Sequence, residues 1–384
     1  MNKDLKDKTL SELEQIVVGM NKKKYLANYI FHFVHVEGAT EISQITPLSK
    51  DFRGQLAEQG FYISQLAIQK RLSDKDGTVK YVFALSDGCQ IETVLLCDVE
   101  DPLRRKGRRT PHSTRSSLRS SLAQGGSTPC GEQGNPDKPG LPRRTICVST
   151  QVGCSLGCAF CATAKLGLRR NLNASEIVDQ VNTVQKDGGR ITNVVYMGMG
   201  EPLLNYNAVL KSVRILNHPS GKNIGIRHIT VSTCGIVPAI KKLAEGDIQP
   251  RLAVSLNAPT DTLRTQLMPI NAKYSIADLI KAVRFYQKKT GQRVTFEYVL
   301  IKGLNDSVEH ARMLIKLLSG LKRNVNLIEH NPHPGCGFVG SDSRRIKQFA
   351  SLLDSAGIET TIRYRMGRGI KAACGQLGAD CLHY

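Results

Sequence analysis

CVSTQVGCSLGCAFC, residues 147 to 161, holds four of the chain's eleven cysteines within fifteen positions. Cys154, Cys158 and Cys161 form a C-x3-C-x2-C pattern, and Cys147 lies seven residues upstream in a β-branched run. Cysteines grouped this closely in a long chain indicate metal binding or catalysis. Three thiolates on one loop can bind three irons of a 4Fe-4S cluster and leave the fourth iron open. Zinc completed by Cys147 or by a distant residue is the alternative.

Downstream of this loop, β-branched runs alternate with amphipathic stretches. The runs are TICVS, NVVYMG, HITVST, RLAVSL, VTFEYVL and NVNLIEH, and the helical stretches cover residues 174–187, 205–216, 236–245, 275–289, 307–320 and 343–356. Six strand–helix units predict an α/β fold with a parallel sheet curved into a partial (β/α)6 barrel. Its chemistry is expected at the carboxyl ends of the strands. TTIRYR predicts one further strand.

The chain divides into three predicted parts. Residues 1–100 predict a small helical module, with helices within 8–35 and 52–69, that ends in a β-hairpin around an Asp-Gly turn. Residues 101–144 are a basic insertion rich in Ser, Gly and Pro, which predicts disorder and is compatible with either a tether or an arm that touches RNA. Residues 145–384 are assigned to the barrel and a C-terminal segment.

The charge balance indicates a polyanionic partner. Lys and Arg number 53 against 33 Asp and Glu, which gives a net charge of +20 over 384 residues and suits RNA. The N-terminus is polar, and no apolar run reaches the length of a membrane span. We therefore expect a cytoplasmic protein with no membrane association.

The three-cysteine loop resembles that of the radical S-adenosylmethionine (SAM) superfamily, because Phe160 precedes the last cysteine and the loop follows the first strand of the βα array. In that superfamily the open iron chelates SAM, and one-electron reduction releases a 5′-deoxyadenosyl radical. The resemblance implies one 4Fe-4S cluster bound by Cys154, Cys158 and Cys161. It also implies a low-potential electron donor such as flavodoxin or ferredoxin.

Further motifs are similar to those of the RlmN/Cfr family of RNA adenine methyltransferases, over essentially the whole chain apart from the insertion. They include NVVYMGMGEPLLN, VSTCGIVPAI, SLNAP, MPIN, NPHPG and AACGQL. The resemblance implies that SAM contacts Gly200, Glu201, Ser232, Ser255, Leu256, Asn257 and Asn331. A carboxylate such as Glu201 complements the SAM ammonium. The family often has His where this chain has Asn257.

The same resemblance implies roles for three residues outside the cluster loop. One SAM methylates Cys374, and the radical from a second SAM activates that methyl group for addition to adenine. Glu92 then accepts the C2 proton, and Cys147 releases the product by forming a transient disulfide with Cys374. Without the resemblance, Cys147 and Cys374 are typical of buried core cysteines, and Glu92 is typical of a solvated hairpin face.

The implied activity is methylation of adenine C2 in 23S rRNA, in the peptidyl-transferase region, and of a tRNA adenosine next to the anticodon. We expect a monomer. Pro202 in MGMGEP favours the branch of the family that methylates C2 over the branch that methylates C8. The alternatives are C8 methylation, a radical SAM enzyme for a protein or small molecule, and a zinc-dependent RNA-binding protein.

Overall fold

The computed structural model describes residues 3–97, 143–363 and 366–379. The predicted insertion therefore lies outside the described residues, except for its last two positions. Within the described part of the chain, no helix combines the length and apolar character needed to cross a membrane.

The N-terminal module consists of α1 (Leu10–Gly19), α2 (Leu26–His32) and α3 (Lys50–Glu58). A capping box between Thr9 and Glu12 begins α1. The predicted helical stretch 52–69 is wrong beyond α3, because Gly60 adopts a left-handed φ of 79° that ends the helix.

Three antiparallel strands follow: β1 (Ala67–Ser73), β2 (Val79–Ala84) and β3 (Gln90–Cys97). The predicted hairpin is confirmed as β2 and β3, and its turn contains Gly88 with a φ of 78°. The sequence did not predict β1, whose residues are all exposed. A strand with no buried face carries no apolar alternation for a pattern search to find.

The parallel part of the sheet begins at β4 (Arg144–Cys147). A separate ribbon of β5 (Gln151–Gly153) and β6 (Leu168–Asn171) brackets the three-cysteine loop. The remaining strands are β7 (Asn193–Tyr196), β8 (Ile229–Thr233), β9 (Arg251–Ser255), β10 (Val294–Leu300), β11 (Arg323–Glu329) and β12 (Glu359–Arg363). These include the six predicted strands and the further one.

The ten strands of the main sheet lie in the order β1-β2-β3-β4-β7-β8-β9-β10-β11-β12. Neighbours from β4 onward are parallel, whereas β3 and β4 are antiparallel. The predicted hairpin therefore extends the barrel sheet. Because the parallel strands share one direction, their carboxyl ends meet at one edge of the sheet.

Helices cover the parallel strands. They are α4 (Ala162–Lys165), α5 (Ala174–Gly188), α6 (Tyr206–Asn217), α7 (Val237–Glu245), α8 (Asp261–Leu267), α9 (Ile276–Thr290), α10 (Val308–Leu317) and α11 (Ser343–Ser355). All six predicted helices are present. The sequence missed α4 and α8, whose four and seven residues are too short to show a helical period.

The N-terminal module docks on α5 through a buried ion pair. Lys6 Nζ lies 2.6 Å from Asp179 Oδ1, and both side chains are almost fully buried. The other carboxylate oxygen of Asp179 accepts a hydrogen bond of 2.7 Å from the Leu66 N–H, just before β1. These contacts hold the N-terminal module against α5, although the contacting residues are far apart in the chain.

Candidate active site

A cavity of about 160 Å³ lies at the carboxyl ends of the parallel strands. Nine of the thirteen predicted site residues line it: Cys154, Cys158, Cys161, Gly200, Glu201, Ser232, Ser255, Asn257 and Cys374. The other four do not line it: Leu256, Asn331, Glu92 and Cys147. The fold thus collects residues from the three-cysteine loop, from the ends of β7, β8 and β9, and from the C-terminal segment.

The three-cysteine loop is closed at its base by two glycines. Gly153 has a φ of 76°, and a Cβ at this position would meet the Gly167 carbonyl oxygen at 1.7 Å. That carbonyl also accepts a hydrogen bond of 2.9 Å from the Cys154 N–H. A side chain at residue 153 would separate β5 from β6, so glycine is required for the loop to close.

The three thiols of this loop share one protein-lined region of the cavity. Burial raises the pKa of Cys154 to about 12 and also raises the pKa of Cys161. The nearby Cys158 thiol raises both of these pKa values further. Binding a metal would require these thiols to ionise.

The donor set fits an iron–sulfur cluster. Among the described residues, no three His, Cys, Asp or Glu side chains are grouped so as to hold a single metal ion. A cubane cluster presents a separate iron to each cysteine, so its thiolates need not converge on one point. Three thiols from one short loop, all facing one cavity, satisfy that requirement.

Two residues that the sequence did not single out lie beside the three-cysteine loop. Cys234 lies with its sulfur 3.9 Å from Cys158 Sγ. The buried Arg264 on α8 donates hydrogen bonds to the carbonyl oxygens of Cys234 at 2.6 Å and Ser255 at 3.2 Å. This guanidinium ties the ends of β8 and β9 together. An arginine in a short polar stretch looks like a surface residue in sequence, so no pattern marked it.

The Gly200–Glu201 turn follows β7. Gly200 has a φ of 95°, and a Cβ there would meet Gln151 side-chain atoms at 2.5 to 2.8 Å. The Gln151 Oε1 accepts a hydrogen bond of 2.8 Å from the Glu201 N–H. The Glu201 carboxylate accepts from the backbone N–H groups of Leu203 at 3.0 Å and Cys234 at 2.7 Å. Burial raises the pKa of Glu201, and these donors oppose that rise.

Asn257 follows β9 in a left-handed conformation with a φ of 59°, which asparagine tolerates better than most residues. Its Oδ1 accepts a hydrogen bond of 2.9 Å from the Val299 N–H, and its Nδ2 lies 3.2 Å from Met268 Sδ. The side chain is therefore fixed at the cavity wall. The preceding Leu256 is fully buried, and its N–H donates to the Glu297 carbonyl oxygen at 3.0 Å.

The C-terminal segment that carries Cys374 is attached to the cluster loop. The Ala162 N–H donates to the Gly375 carbonyl oxygen at 2.8 Å, and the Thr163 hydroxyl donates to the Leu377 carbonyl oxygen at 2.7 Å. Asn331 Nδ2 donates to the Cys374 carbonyl oxygen at 3.1 Å. Asn331 thus positions the backbone of Cys374.

Cys374 lines the cavity. The residue as a whole keeps exposed surface, but protein atoms surround much of its thiol. Burial raises the pKa of Cys374 to about 11, and the nearby Glu297 carboxylate raises it further, whereas Arg363 lowers it. Glu297 on β10 lines the same cavity, and its Oε1 accepts a hydrogen bond of 2.8 Å from Asn326. Glu297 carries no signal in the sequence, because a single acid in a strand resembles a surface residue.

Cys147 ends β4 behind the cavity wall and is buried. Burial raises the pKa of Cys147, and the neighbouring Cys374 thiol raises it further, so the two sulfurs interact electrostatically. Residues 147 and 374 therefore lie in one region of the fold, within range of electrostatic interaction, although they are 227 positions apart in the chain.

Glu92 lies on β3 with no exposed side-chain area. Its Oε1 is 3.4 Å from Lys80 Nζ on β2, and its Oε2 accepts a hydrogen bond of 3.0 Å from the Gly378 N–H. The expectation of a solvated hairpin face, which rested on the strand pattern alone, is wrong. The hairpin joins the main sheet through β4, so this face is covered by the rest of the fold.

A larger cleft of about 650 Å³ lies between the start of α1, α6 and α7, away from these residues. Four of its charged side chains form ion pairs: Lys211 contacts Glu12 at 2.9 Å, and Arg214 contacts Asp247 at 2.5 Å. None of the predicted site residues lines it. The smaller cavity, which gathers the thiols, is therefore the candidate active site.

Comparison with known proteins gives consistent results. Residues 148–315 match the radical SAM superfamily, and residues 3–61 match the ribosomal RNA large subunit methyltransferase N-terminal domain. A probable dual-specificity RNA methyltransferase RlmN from Thermoanaerobacter sp. (strain X514) is 42% identical over 375 residues, which cover 97% of each chain. The dual-specificity RNA methyltransferase RlmN from Syntrophobacter fumaroxidans is 41% identical over 98% of each chain. A crystal structure of a radical SAM methyltransferase from Sphaerobacter thermophilus superposes with a TM-score of 0.81, at 41% identity over 98% of this chain and 100% of that one.

Proposed function

Because the chain belongs to the RlmN family of radical SAM RNA methyltransferases, we propose that it methylates C2 of an adenosine in 23S rRNA and of a tRNA adenosine next to the anticodon. One observation carries this proposal: Cys374 and the three-cysteine loop line a single cavity, and the buried Cys147 lies close enough to Cys374 for the charge of one thiol to affect the other. Pro202 beside Glu201 supports C2 over C8.

The cluster and SAM have proposed positions within this cavity. Cys154, Cys158 and Cys161 would hold the 4Fe-4S cluster. Gly200, Glu201, Ser232, Ser255 and Asn257 line the cavity and would surround SAM, and Leu256 and Asn331, which do not line it, would support its wall. When bound, these groups supply a transferable methyl group and a 5′-deoxyadenosyl radical. The electron donor is proposed to be a flavodoxin or ferredoxin.

Glu201 would orient the ammonium of SAM. Its carboxylate is buried at the cavity wall and is held by two backbone N–H donors, so its position is fixed before SAM binds. A fixed carboxylate and a bound ammonium stabilise each other most where water is excluded. Gly200 supports this role, because its missing side chain lets the turn approach Gln151.

Cys374 would carry the methyl group that becomes the product. Its thiol would give up a proton and take the methyl group as a thioether, and the methyl carbon, after losing one hydrogen atom to the 5′-deoxyadenosyl radical, would bond to adenine C2. The adduct carries one unpaired electron, which would pass back to the electron-transfer partner when the C2 proton leaves. Glu92 accepts the C2 proton. The Cys147 thiolate attacks the Cys374 sulfur, so an S–S bond forms while the S–C bond breaks. The electron pair of the broken bond stays on the RNA carbon, which takes up a proton to become methyl, and an external dithiol reduces the disulfide.

The remaining parts of the chain have supporting roles in this proposal. The N-terminal module of residues 1–100 would bind RNA, and the net charge of +20 suits that partner. The basic insertion 101–144 would add to this attraction or act as a tether. The enzyme would act as a monomer in the cytoplasm.

The deciding experiment is an anaerobic assay of the reconstituted enzyme with 23S rRNA fragments and with tRNA. Mass spectrometry of the digested nucleosides should detect 2-methyladenosine from both substrates. Detection of 8-methyladenosine instead would assign the C8 reaction. Methylation by Cys374→Ala at the wild-type rate would contradict the proposed mechanism and favour a different radical SAM reaction.

A further inference from the structure

The buried ion pair between Lys80 and Glu92 joins a predicted site residue to a lysine that the sequence did not single out. Both side chains have 0% exposed area, and Nζ lies 3.4 Å from Oε1. Transferring two charges from water to such a position costs free energy that mutual attraction seldom recovers in full. A pair of this kind calls for an explanation other than stability.

The register of the sheet relates this pair to the thiols. Val94 on β3 is paired with Lys80 on β2 and with Cys147 on β4. Glu92 lies two residues from Val94, and side chains at that spacing share a face of the sheet. Lys80, Glu92 and Cys147 therefore lie on one face of three neighbouring strands.

The groups around Glu92 can be assigned element by element. Lys80 approaches from β2, and the Gly378 N–H approaches from the segment that carries Cys374. The Ser149 hydroxyl, which follows β4, donates to the Glu92 carbonyl oxygen at 2.5 Å. Cys147 is the titratable neighbour on β4, and Lys80 is the charge that faces the carboxylate. The ionisation of Glu92 should therefore depend on Lys80.

We propose that Lys80 is a positioning residue for the deprotonation step, in which its ammonium keeps the Glu92 carboxylate ionised and oriented to accept the C2 proton. This inference rests on the proposed role of Glu92 as the proton acceptor. In the step, the adenine C2–H bond breaks, and its electron pair stays in the ring. The proton passes to a Glu92 oxygen, and Lys80 keeps its own proton and its charge.

Removing the ammonium should leave Glu92 protonated at neutral pH. Burial without a compensating cation favours the neutral acid, so ionisation then requires a higher pH. A protonated Glu92 cannot accept the C2 proton, and the covalent link between Cys374 and RNA should persist. The acidic limb of the pH–rate profile should move to higher pH.

The test compares Lys80→Met and Lys80→Arg with the wild-type enzyme, all reconstituted and assayed on the same 23S rRNA fragment from pH 6 to pH 9. At pH 7, Lys80→Met should release methylated RNA about 100-fold more slowly and accumulate the Cys374–RNA adduct, and alkaline pH should restore release. Lys80→Arg retains the charge and should keep the wild-type profile. Lys281→Met removes the lysine of an exposed ion pair with Asp278 on α9 and should leave the profile unchanged.

An independent readout uses infrared difference spectra without RNA. The spectrum of Lys80→Met minus that of Lys80→Met/Glu92→Gln should show a protonated carboxyl group at pH 7, and wild type minus Glu92→Gln should show a carboxylate. An unchanged pH profile together with a carboxylate in Lys80→Met would overturn the inference. If the wild type itself makes no methyladenosine, the proposed function fails, whereas the spectra still decide the Lys80 effect.

Lys80→Met could fail to fold because it leaves the buried Glu92 carboxylate without its ion-pair partner. In that case Lys80→Met/Glu92→Gln, which removes both charges, should restore the folded fraction and the thermal midpoint. Failure of the double variant to recover would show that the two residues are not coupled, and the inference would be wrong. Recovery would establish the coupling between the two charges.

Discussion

Cys147 and Glu92 lie on one face of the sheet, because Cys147 is paired with Val94 and Glu92 is two residues from Val94 on the same strand. The antiparallel contact between β3 and β4 creates this relationship. The hairpin is thus part of the catalytic sheet. The proposed resolving thiol and the proposed proton acceptor have fixed relative positions.

Cys147→Ala should trap a covalent adduct between Cys374 and RNA. The variant can still form the bond to adenine, but it lacks the thiolate that attacks the Cys374 sulfur. Denaturing gels and peptide mass spectrometry should show RNA attached at residue 374. Cys89→Ala, which changes a cysteine in the hairpin turn, should release product normally. Free methylated RNA from Cys147→Ala at the wild-type rate would exclude the resolving role.

Single alanine variants of Cys154, Cys158 and Cys161 should lose the cluster. Each removes the thiolate of one iron, and the loop offers no further cysteine. Iron and sulfide content after anaerobic reconstitution, with the visible absorption spectrum, measures the loss. Cys234→Ala is the matched control, since Cys234 lines the same cavity 3.9 Å from Cys158 Sγ. Colourless wild-type protein that contains zinc would contradict the cluster assignment.

Gly153→Ala should destabilise the cluster loop far more than Gly167→Ala. Both residues have left-handed backbone, which costs a non-glycine residue about 1 to 2 kcal/mol. Only at residue 153 does the added Cβ also collide with a backbone oxygen, at 1.7 Å, whereas nothing lies within 4 Å at residue 167. Thermal midpoints and retained iron should both fall more for Gly153→Ala. Equal effects of the two changes would refute the proposed closure of the loop.

Alkylation of Cys374 in cluster-free protein should be slow at neutral pH. The thiolate is the reactive form, and a pKa raised to about 11 leaves less thiolate at pH 7.5 than an ordinary cysteine has. The rate should therefore increase about tenfold per pH unit up to that pKa. Mass spectrometry of the peptide after iodoacetamide treatment measures it, with Cys374→Ala confirming the assignment. A rate that is already at its plateau at pH 8 would show that the thiol is not shifted upward.

Much of the fold followed from periodicity. The β-branched runs and amphipathic helices from residue 145 onward predicted the strand–helix units, because parallel strands and their covering helices carry strong apolar patterns. Strand β1 was not predicted from the sequence, because AIQKRLS has no buried face. Arg264 and Glu297 were not predicted to belong to the site, because in sequence a buried charged residue cannot be told from a surface one until its neighbours are known.

The sequence by itself determined the local chemistry: three thiols at fixed spacing on one loop, glycines where the backbone must be left-handed, and a strand–helix order that directs strand ends to one edge. Spacing along the chain suffices for these features, because neighbouring residues cannot separate. Only the tertiary structure decided that Cys147 and Cys374 lie in one region of the fold, that Glu92 is buried, and that Lys80 faces it. Those relationships depend on sheet register and on the docking of the C-terminal segment, which arise from contacts between residues far apart in sequence.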